Sequence, residues 1–208
     1  MKNKNRMIEL ITSITILLPI LIGIFLWNRL PEQMPIHYDI NGNPDNNAGK
    51  AFAVFVMPVV LLMLQWICIF AASKQKDSLN AKMKQLVLWI IPILSVFVSF
   101  IMYRSALGNN TKVLSMVFLF MGLLFIIVGN YLPKCRQNYT IGIKIPWTLN
   151  SEENWNRTHR LGGIVWIVGG MLFLLNAFWA NAILSIIVIV LLVAVPLVYS
   201  GILHHKGI

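Results

Sequence analysis

The stretch "AILSIIVIVLLVAVPLVYSGIL", residues 182–203, contains no Asp, Glu, Lys, Arg or His. A bilayer core about 30 Å thick is crossed by roughly 20 apolar residues wound as a helix, so this run reads as a membrane span. Five more runs have the same character, at 8–29, 51–72, 86–107, 113–132 and 161–179. The composition agrees. Hydrophobic residues make up 58% of the chain and charged residues only 12%, against about 25% charged in soluble domains, and the mean hydropathy is +0.74. The expected fold is an all-α integral membrane protein, a bundle of six transmembrane helices joined as three consecutive hairpins, because short links force antiparallel neighbours.

Lys and Arg set the expected orientation. With the N-terminus inside, the inner segments hold Lys2, Lys4, Arg6, Lys74, Lys76, Lys82, Lys84, Lys134, Arg136, Lys144, Arg157, Arg160 and Lys206, leaving Arg29, Lys50, Arg104 and Lys112 outside. Both termini are then cytoplasmic by the positive-inside rule. The net charge of +10 follows from that topology and an anionic inner leaflet, and no direct nucleic-acid partner is needed. "MKNKNR" ahead of the first run resembles a signal n-region, but the apolar part is too long and ends in Trp27, Asn28 and Arg29 without a small-residue cleavage site, so a retained helix is expected. Three parts follow: an N-terminal helical hairpin over 1–72 with an extracellular cap at 30–50, a helix pair over 73–112 with a basic cytoplasmic loop, and a region over 113–208 with a cytoplasmic loop at 133–160. The localisation expected is the cell membrane, with lipid as one partner.

Ionisable groups at membrane mid-depth are expensive and mark transport or proton pathways. The middle of every run lacks them; Glu9 and Arg104 lie near ends, within snorkelling reach of the interface. Polar side chains inside the runs include Gln65, Ser95, Ser99 and Asn176, and interhelical hydrogen bonding is the expected use. Pro19, Pro58, Pro92 and Pro196 fall within spans and are expected to kink them. In "LGGIVWIVGG", Gly162 with Gly169 and Gly163 with Gly170 are seven apart, the mark of a helix-packing seam. Cys68 and Cys135 fall too far apart in topology for a disulfide.

Two polar segments carry the remaining chemistry. In the outer one, residues 29–50, Pro31, Pro35, Pro44, Gly42, Gly49 and several Asn and Asp supply turns, and "IHYDI" a short extended stretch. His37, Asp39 and Asp45 are of metal-ligating types, but their spacing has no specificity, and neither a metal nor another cofactor is expected. In the inner segment, Tyr139, Ile141, Ile143 and Ile145 alternate with Thr140, Gly142 and Lys144, the period of a half-buried strand that Pro146 would end. Ser151 then N-caps a helix with Glu152 and Glu153 in its first turn. Glu153 and Arg157 are placed to pair, and Trp155 and His159 to stack. Trp147 and Trp155 are expected at headgroup level.

The segment "GNYLPKCRQNYTIGIKIPWTLNSEENWNRTHRLGG", residues 129–163, resembles the signature of the SdpI-type bacterial immunity proteins, and "LPEQMPIHYDINGNPDNNAGK", residues 30–50, is similar to the small domain of unknown function that typically precedes it. Where the family commonly has Arg then Thr before Pro-Trp, this chain has Lys144 and Ile145. The resemblance implies a non-enzymatic role: protection of a bacterial cell from a secreted antimicrobial peptide toxin, coupled in the founding member to signalling by holding a cytoplasmic transcriptional repressor at the membrane. Tyr139, Ile141, Gly142, Lys144, Pro146, Trp147, Thr148, Trp155, His159 and Arg160 would then serve the cytoplasmic partner, and Pro35, His37, Asp39, Gly42 and Asp45 the peptide. Two other function classes compete. Six spans with internal prolines also suit a small-solute transporter or channel, and His37 with Asp39 and Asp45, or His159 with Glu152 and Glu153, would be the residues of a membrane metallohydrolase.

Overall fold

A computed structural model describes residues 2–73, 81–108 and 112–208, with side chains from residue 6 to 70, 85 to 108 and 112 to 208. Its elements are α1 (Lys2–Phe25), a hairpin of β1 (Gln33–Tyr38) and β2 (Pro44–Gly49), a π-helical turn (Phe52–Val56) leading into α2 (Met57–Ser73), α3 (Ala81–Ala106), α4 (Val113–Tyr131), a 3-10 turn (Leu132–Lys134), α5 (Pro146–Asn150), α6 (Glu152–Asn176) and α7 (Ala182–His205). Among the described residues, six of these helices are long and apolar enough to cross a membrane. The chain is a multi-pass, mostly helical membrane protein. The all-α expectation needs one amendment: the cap is a two-stranded antiparallel sheet, and "IHYDI" falls on β1 and the turn after it. Lys74, Lys76 and residues 109–111 of the link between the third and fourth spans lie outside the described residues.

The chain divides into two compact units. The first contains α1, the β-hairpin, α2 and α3. Several of its buried polar side chains bind helix to helix, Gln65 and Ser95 as expected from the sequence. Gln65 donates to the carbonyl of Leu88 (3.0 Å), Ser95 to that of Ile16 (3.0 Å) and Tyr103 to that of Pro19 (2.8 Å). The last two brace α1 around Pro19, where the ring interrupts the regular ladder. Pro58 behaves differently from a mid-span kink. It is the second residue of α2, where its missing N–H coincides with the change from π to α winding. Beneath the hairpin, Leu30, Met34, Ala53, Val54, Met102 and Tyr103 form one buried cluster.

The second unit contains α4, the inner segment, α6 and α7. Its glycine seam is two-sided. A Cβ on Gly163 would stand 2.7 Å from the carbonyl oxygen of Gly129, and one on Gly170 2.6 Å from that of Gly122, so this pair admits α4. Gly169 faces Leu192 of α7, and Gly162 faces Ile143 and Pro196. Gly122 and Gly129 complete the seam from α4, and edge-to-face contacts of Phe118 and Phe125 with Phe173 and of Phe125 with Trp166 fill the space beside it. Asn176 donates to Ser185 (2.8 Å) and to the carbonyl of Asn181 (2.8 Å), closing the tight turn into α7.

Candidate functional site

The inner segment is a polar structure built across the ends of α4, α6 and α7. Its extended period is real in burial, since Ile141, Ile143 and Ile145 are half-buried while Gly142 and Lys144 are exposed, but no strand forms. The reason is that no second strand lies alongside; side chains take that role. Asn138 accepts from the N–H groups of Thr140 and Ile141 (both 2.8 Å) and donates to the carbonyls of Arg136 and Ile141. His159 accepts from the N–H of Ile143 (2.9 Å). Thr148 donates to the carbonyl of Ile143 (2.7 Å) and accepts from the N–H of Ile145 (3.1 Å). Pro146 does not merely end an extended run: it opens α5 from an extended Ile145, the position where a missing N–H costs nothing.

At the centre, Trp155 is fully buried, stacks on His159 with centroids 4.0 Å apart, and donates its indole N–H to the carbonyl of Cys135 (2.7 Å). The Trp155 ring is therefore the core of the segment and is not turned outward as a lipid-facing anchor. His159 has both ring nitrogens engaged: Nδ1–H donates to the carbonyl of Trp155 (2.8 Å) while Nε2 accepts from Ile143. The ring is consequently the neutral tautomer with its proton on Nδ1. Gly142 closes over this pair at φ +124°, where a Cβ would stand 2.5 Å from Nε2 of His159 and 2.8 Å from the Trp155 ring. Only glycine suits both the conformation and the space. Burial pushes the Cys135 thiol above its ordinary value.

Three further anchors hold the segment. Gln137 donates to the carbonyls of Thr148 and Leu149 (2.7 and 2.9 Å), Trp147 stacks on His204 and covers Gly201, and Asn154, fully buried, donates to the carbonyl of Ser200 (3.0 Å) and accepts from the hydroxyls of Ser200 (2.6 Å) and Thr158 (3.1 Å). Ser151 caps α6 through the N–H of Asn154, and Glu153 pairs with Arg157. Asn138 and Asn154 escaped the sequence reading. A signal for the second was present: Asn154 with Thr158 and Trp155 with His159 are adjacent pairs at helical i,i+4 spacing.

The residues singled out from sequence thus separate into two groups. Thr148, Trp155 and His159 are interior, Ile141 and Trp147 half-buried, and Tyr139, Gly142, Lys144, Pro146 and Arg160 exposed. A partner would meet the last group, which the buried residues hold in place.

In the cap, Lys50 is buried and directs its ammonium to Glu32 (2.8 Å) and to the carbonyls of Trp27 and Leu30, over the Trp27 ring. It ties β2 to the end of α1. His37 and Asp45 pair across the hairpin (2.6 Å), whereas Asp39 turns to its own loop and accepts from the N–H groups of Asn41 and Asn43. Those backbone bonds, Asn43 first, hold its carboxyl below the usual value of 3.8. Gly42 takes φ +82° in the same turn, and Pro35 is buried. Among the described residues, no group of three His, Cys, Asp or Glu is placed to hold a metal ion; the three cap residues separate into a hydrogen-bonded pair and a turn.

The SdpI/YfhL protein family matches residues 134–200, which include the stitched segment, α6 and most of α7. The domain of unknown function DUF1648 matches residues 14–62, from α1 through the hairpin into α2. Along nearly its whole length the chain is similar to the Immunity protein SdpI of Bacillus subtilis (strain 168), 27% identical over 203 residues covering 95% of this chain and 94% of the relative. It is also similar to the Uncharacterized membrane protein YbgB of the same organism, 35% identical over 46 residues, 22% of this chain and 50% of that one. No solved structure matches the chain.

Proposed function

We propose that this protein is a membrane immunity factor that protects a bacterial cell against a secreted antimicrobial peptide and reports the peptide's presence to a cytoplasmic partner. The observation that carries this reading is the similarity to Immunity protein SdpI over 95% of the chain, which takes in both polar segments. The role is binding rather than catalysis. With both termini cytoplasmic, the hairpin faces the exterior, where an incoming peptide arrives. The inner segment then faces the cytoplasm and offers Tyr139, Lys144 and Arg160 to a protein such as a transcriptional repressor.

The rigidity of the inner segment supports this. Backbone groups bonded to Asn138, Thr148 and His159 fix exposed side chains in one arrangement, which lowers the entropy lost on docking. A solute pathway has less support: Gln65, Ser95 and Asn176 are engaged in helix-packing hydrogen bonds. The test is survival of cells expressing the full chain when challenged with a panel of purified secreted peptides. Protection against at least one is the expected result, and equal killing with and without expression across the panel overturns the proposal.

A further inference from the structure

The exposed faces of α4 and α6 meet along their seam. Gly122 of α4 lies against Gly170 of α6, and Gly129 against Gly163, so the two helices run antiparallel. Each of these glycines is followed by an exposed residue: Leu123 and Asn130 on α4, Met171 and Ile164 on α6. One residue advances a helix by about 100°, and equal turns taken from a shared seam on antiparallel helices open to the same side of the pair. Leu123 and Ile127 of α4 and Ile164, Val168, Met171 and Leu175 of α6, three or four residues apart on each helix, therefore line one exposed groove. Its α6 wall rises about 16 Å from Ile164 to Leu175, the depth of one leaflet in a hydrocarbon core about 30 Å thick.

The groove changes character at the end nearest the inner segment. On α6 the next exposed position of the stripe is Arg160, four residues before Ile164. On α4 it is Asn130, and the Lys134 ammonium lies beside the Asn130 side-chain oxygen (3.5 Å) and over the Tyr131 ring (5.0 Å from its centroid). Because Gly129 is level with Gly163, Asn130 is level with Gly162, two residues or about 3 Å from Arg160 along the axis. Two cations thus stand at one depth, where the exposed residues of both helices cease to be apolar.

Neither cation is neutralised. Between residues 113 and 208 the acids are Glu152 and Glu153; they lie roughly 12 and 10 Å beyond Arg160 along α6, and Glu153 is taken by Arg157. Among the described residues Lys134 and Arg160 meet no carboxylate. A single basic side chain at a span end is explained by snorkelling. A pair from neighbouring helices, heading an apolar groove one leaflet deep, has the form of a basic pocket that takes an anionic lipid headgroup.

We infer that the α4–α6 groove binds an anionic glycerophospholipid, with its phosphate held by Lys134 and Arg160 and one acyl chain laid along the apolar walls. The guanidinium can pair with two phosphate oxygens at once, and the ammonium adds a point charge. In the orientation proposed above the lipid belongs to the inner leaflet, and Arg160 forms the membrane-side border of the surface offered to a cytoplasmic protein. The site stands whether or not the protein confers immunity.

Native mass spectrometry of the full chain, delipidated in detergent and titrated with dioleoylphosphatidylglycerol or dioleoylphosphatidylcholine, reads the first lipid bound. The anionic lipid is expected to bind more tightly by about 10- to 30-fold, the effect of two cations at a charged headgroup. Lys134→Gln and Arg160→Gln are each expected to lower that preference about fivefold. Lys206→Gln, which removes an exposed cation elsewhere, leaves it unchanged, and thermal midpoints in detergent show that the variants fold. Glycerol 3-phosphate at equal concentration is expected not to displace the lipid, because it has no chain for the groove. Equal binding of the two lipids, or a preference that survives both substitutions combined, overturns the site. Displacement by glycerol 3-phosphate reduces it to a phosphate patch and overturns the groove. A dimer of delipidated protein that excludes the lipid assigns the groove to a second copy and overturns the site as well.

Discussion

Replacing His159 with Phe isolates the polar stitching of the inner segment from its packing. The phenyl ring keeps the shape that stacks on Trp155 at 4.0 Å, but it can neither accept from the N–H of Ile143 nor donate to the carbonyl of Trp155, bonds of 2.9 and 2.8 Å in the unaltered protein. The Trp155 carbonyl lies within α6, where the helical ladder still serves it, so its loss is minor. Among the described residues the N–H of Ile143 is held by His159, and an orphaned, partly buried N–H costs about 1–3 kcal/mol. That cost falls on local opening of the segment, shifting its equilibrium roughly 5- to 150-fold. Hydrogen exchange of the full chain in nanodiscs, followed by mass spectrometry of a fragment covering residues 138–146, reads this directly. Faster exchange by about that factor is expected, with α6 beyond Arg160 unchanged. Exchange at Ile143 within twofold of the unaltered protein would refute the idea that His159 holds this backbone.

Further predictions bear on other parts of the structure. Gly163→Ala is expected to lower the stability of the second unit by about 1–3 kcal/mol, because its Cβ meets the Gly129 carbonyl at 2.7 Å and α4 and α6 must separate; a fall in the thermal midpoint in detergent checks it, with Gly49→Ala as the neutral comparison. The Asp39 carboxyl lies below its ordinary value of 3.8, so its contribution to the hairpin turn is fully present above that value and is lost as pH falls through the lower, folded one. Exchange at Asn41 and Asn43, corrected for the intrinsic pH dependence, is expected to rise only below pH 3.8. Trp147→Ala removes the ring stacked on His204 and covering Gly201; proteolysis between α5 and α6 is expected to speed up while the spans stay intact.

The helices were legible because an apolar run of span length has few other uses, and the cap of α6 because Ser151, Glu152 and Glu153 stand in the order that a helix start favours. Gly162, Gly163, Gly169 and Gly170 declared a seam by their spacing, but Gly122 and Gly129 did not, since single glycines in an apolar run carry no mark of which neighbour they admit. The extended period holds as alternating burial over 141–145 but fails at Tyr139, which is exposed, and at Thr140, which is half-buried, and it forms no strand. Period alone does not reveal whether a second strand or a set of Asn, Thr and His side chains will take the hydrogen bonds. The burial of Trp155 is hidden for a related reason: a tryptophan near a span end suits an outward-facing anchor, and nothing local shows that Gly142 folds over it. The cap yielded its turns from Asp, Asn and Gly, while the pairing of His37 with Asp45 required the register.

The claim that a peptide is met on one side and a partner on the other stands on the placement of the two polar segments across the membrane. Single cysteines at Asn46 and Tyr139, both exposed, can be challenged in intact cells with a membrane-impermeant maleimide, with the unaltered chain reporting any background from Cys68 and Cys135. The account predicts that Asn46→Cys is labelled from outside and Tyr139→Cys only after the cells are opened. Labelling of both from the same side would contradict it.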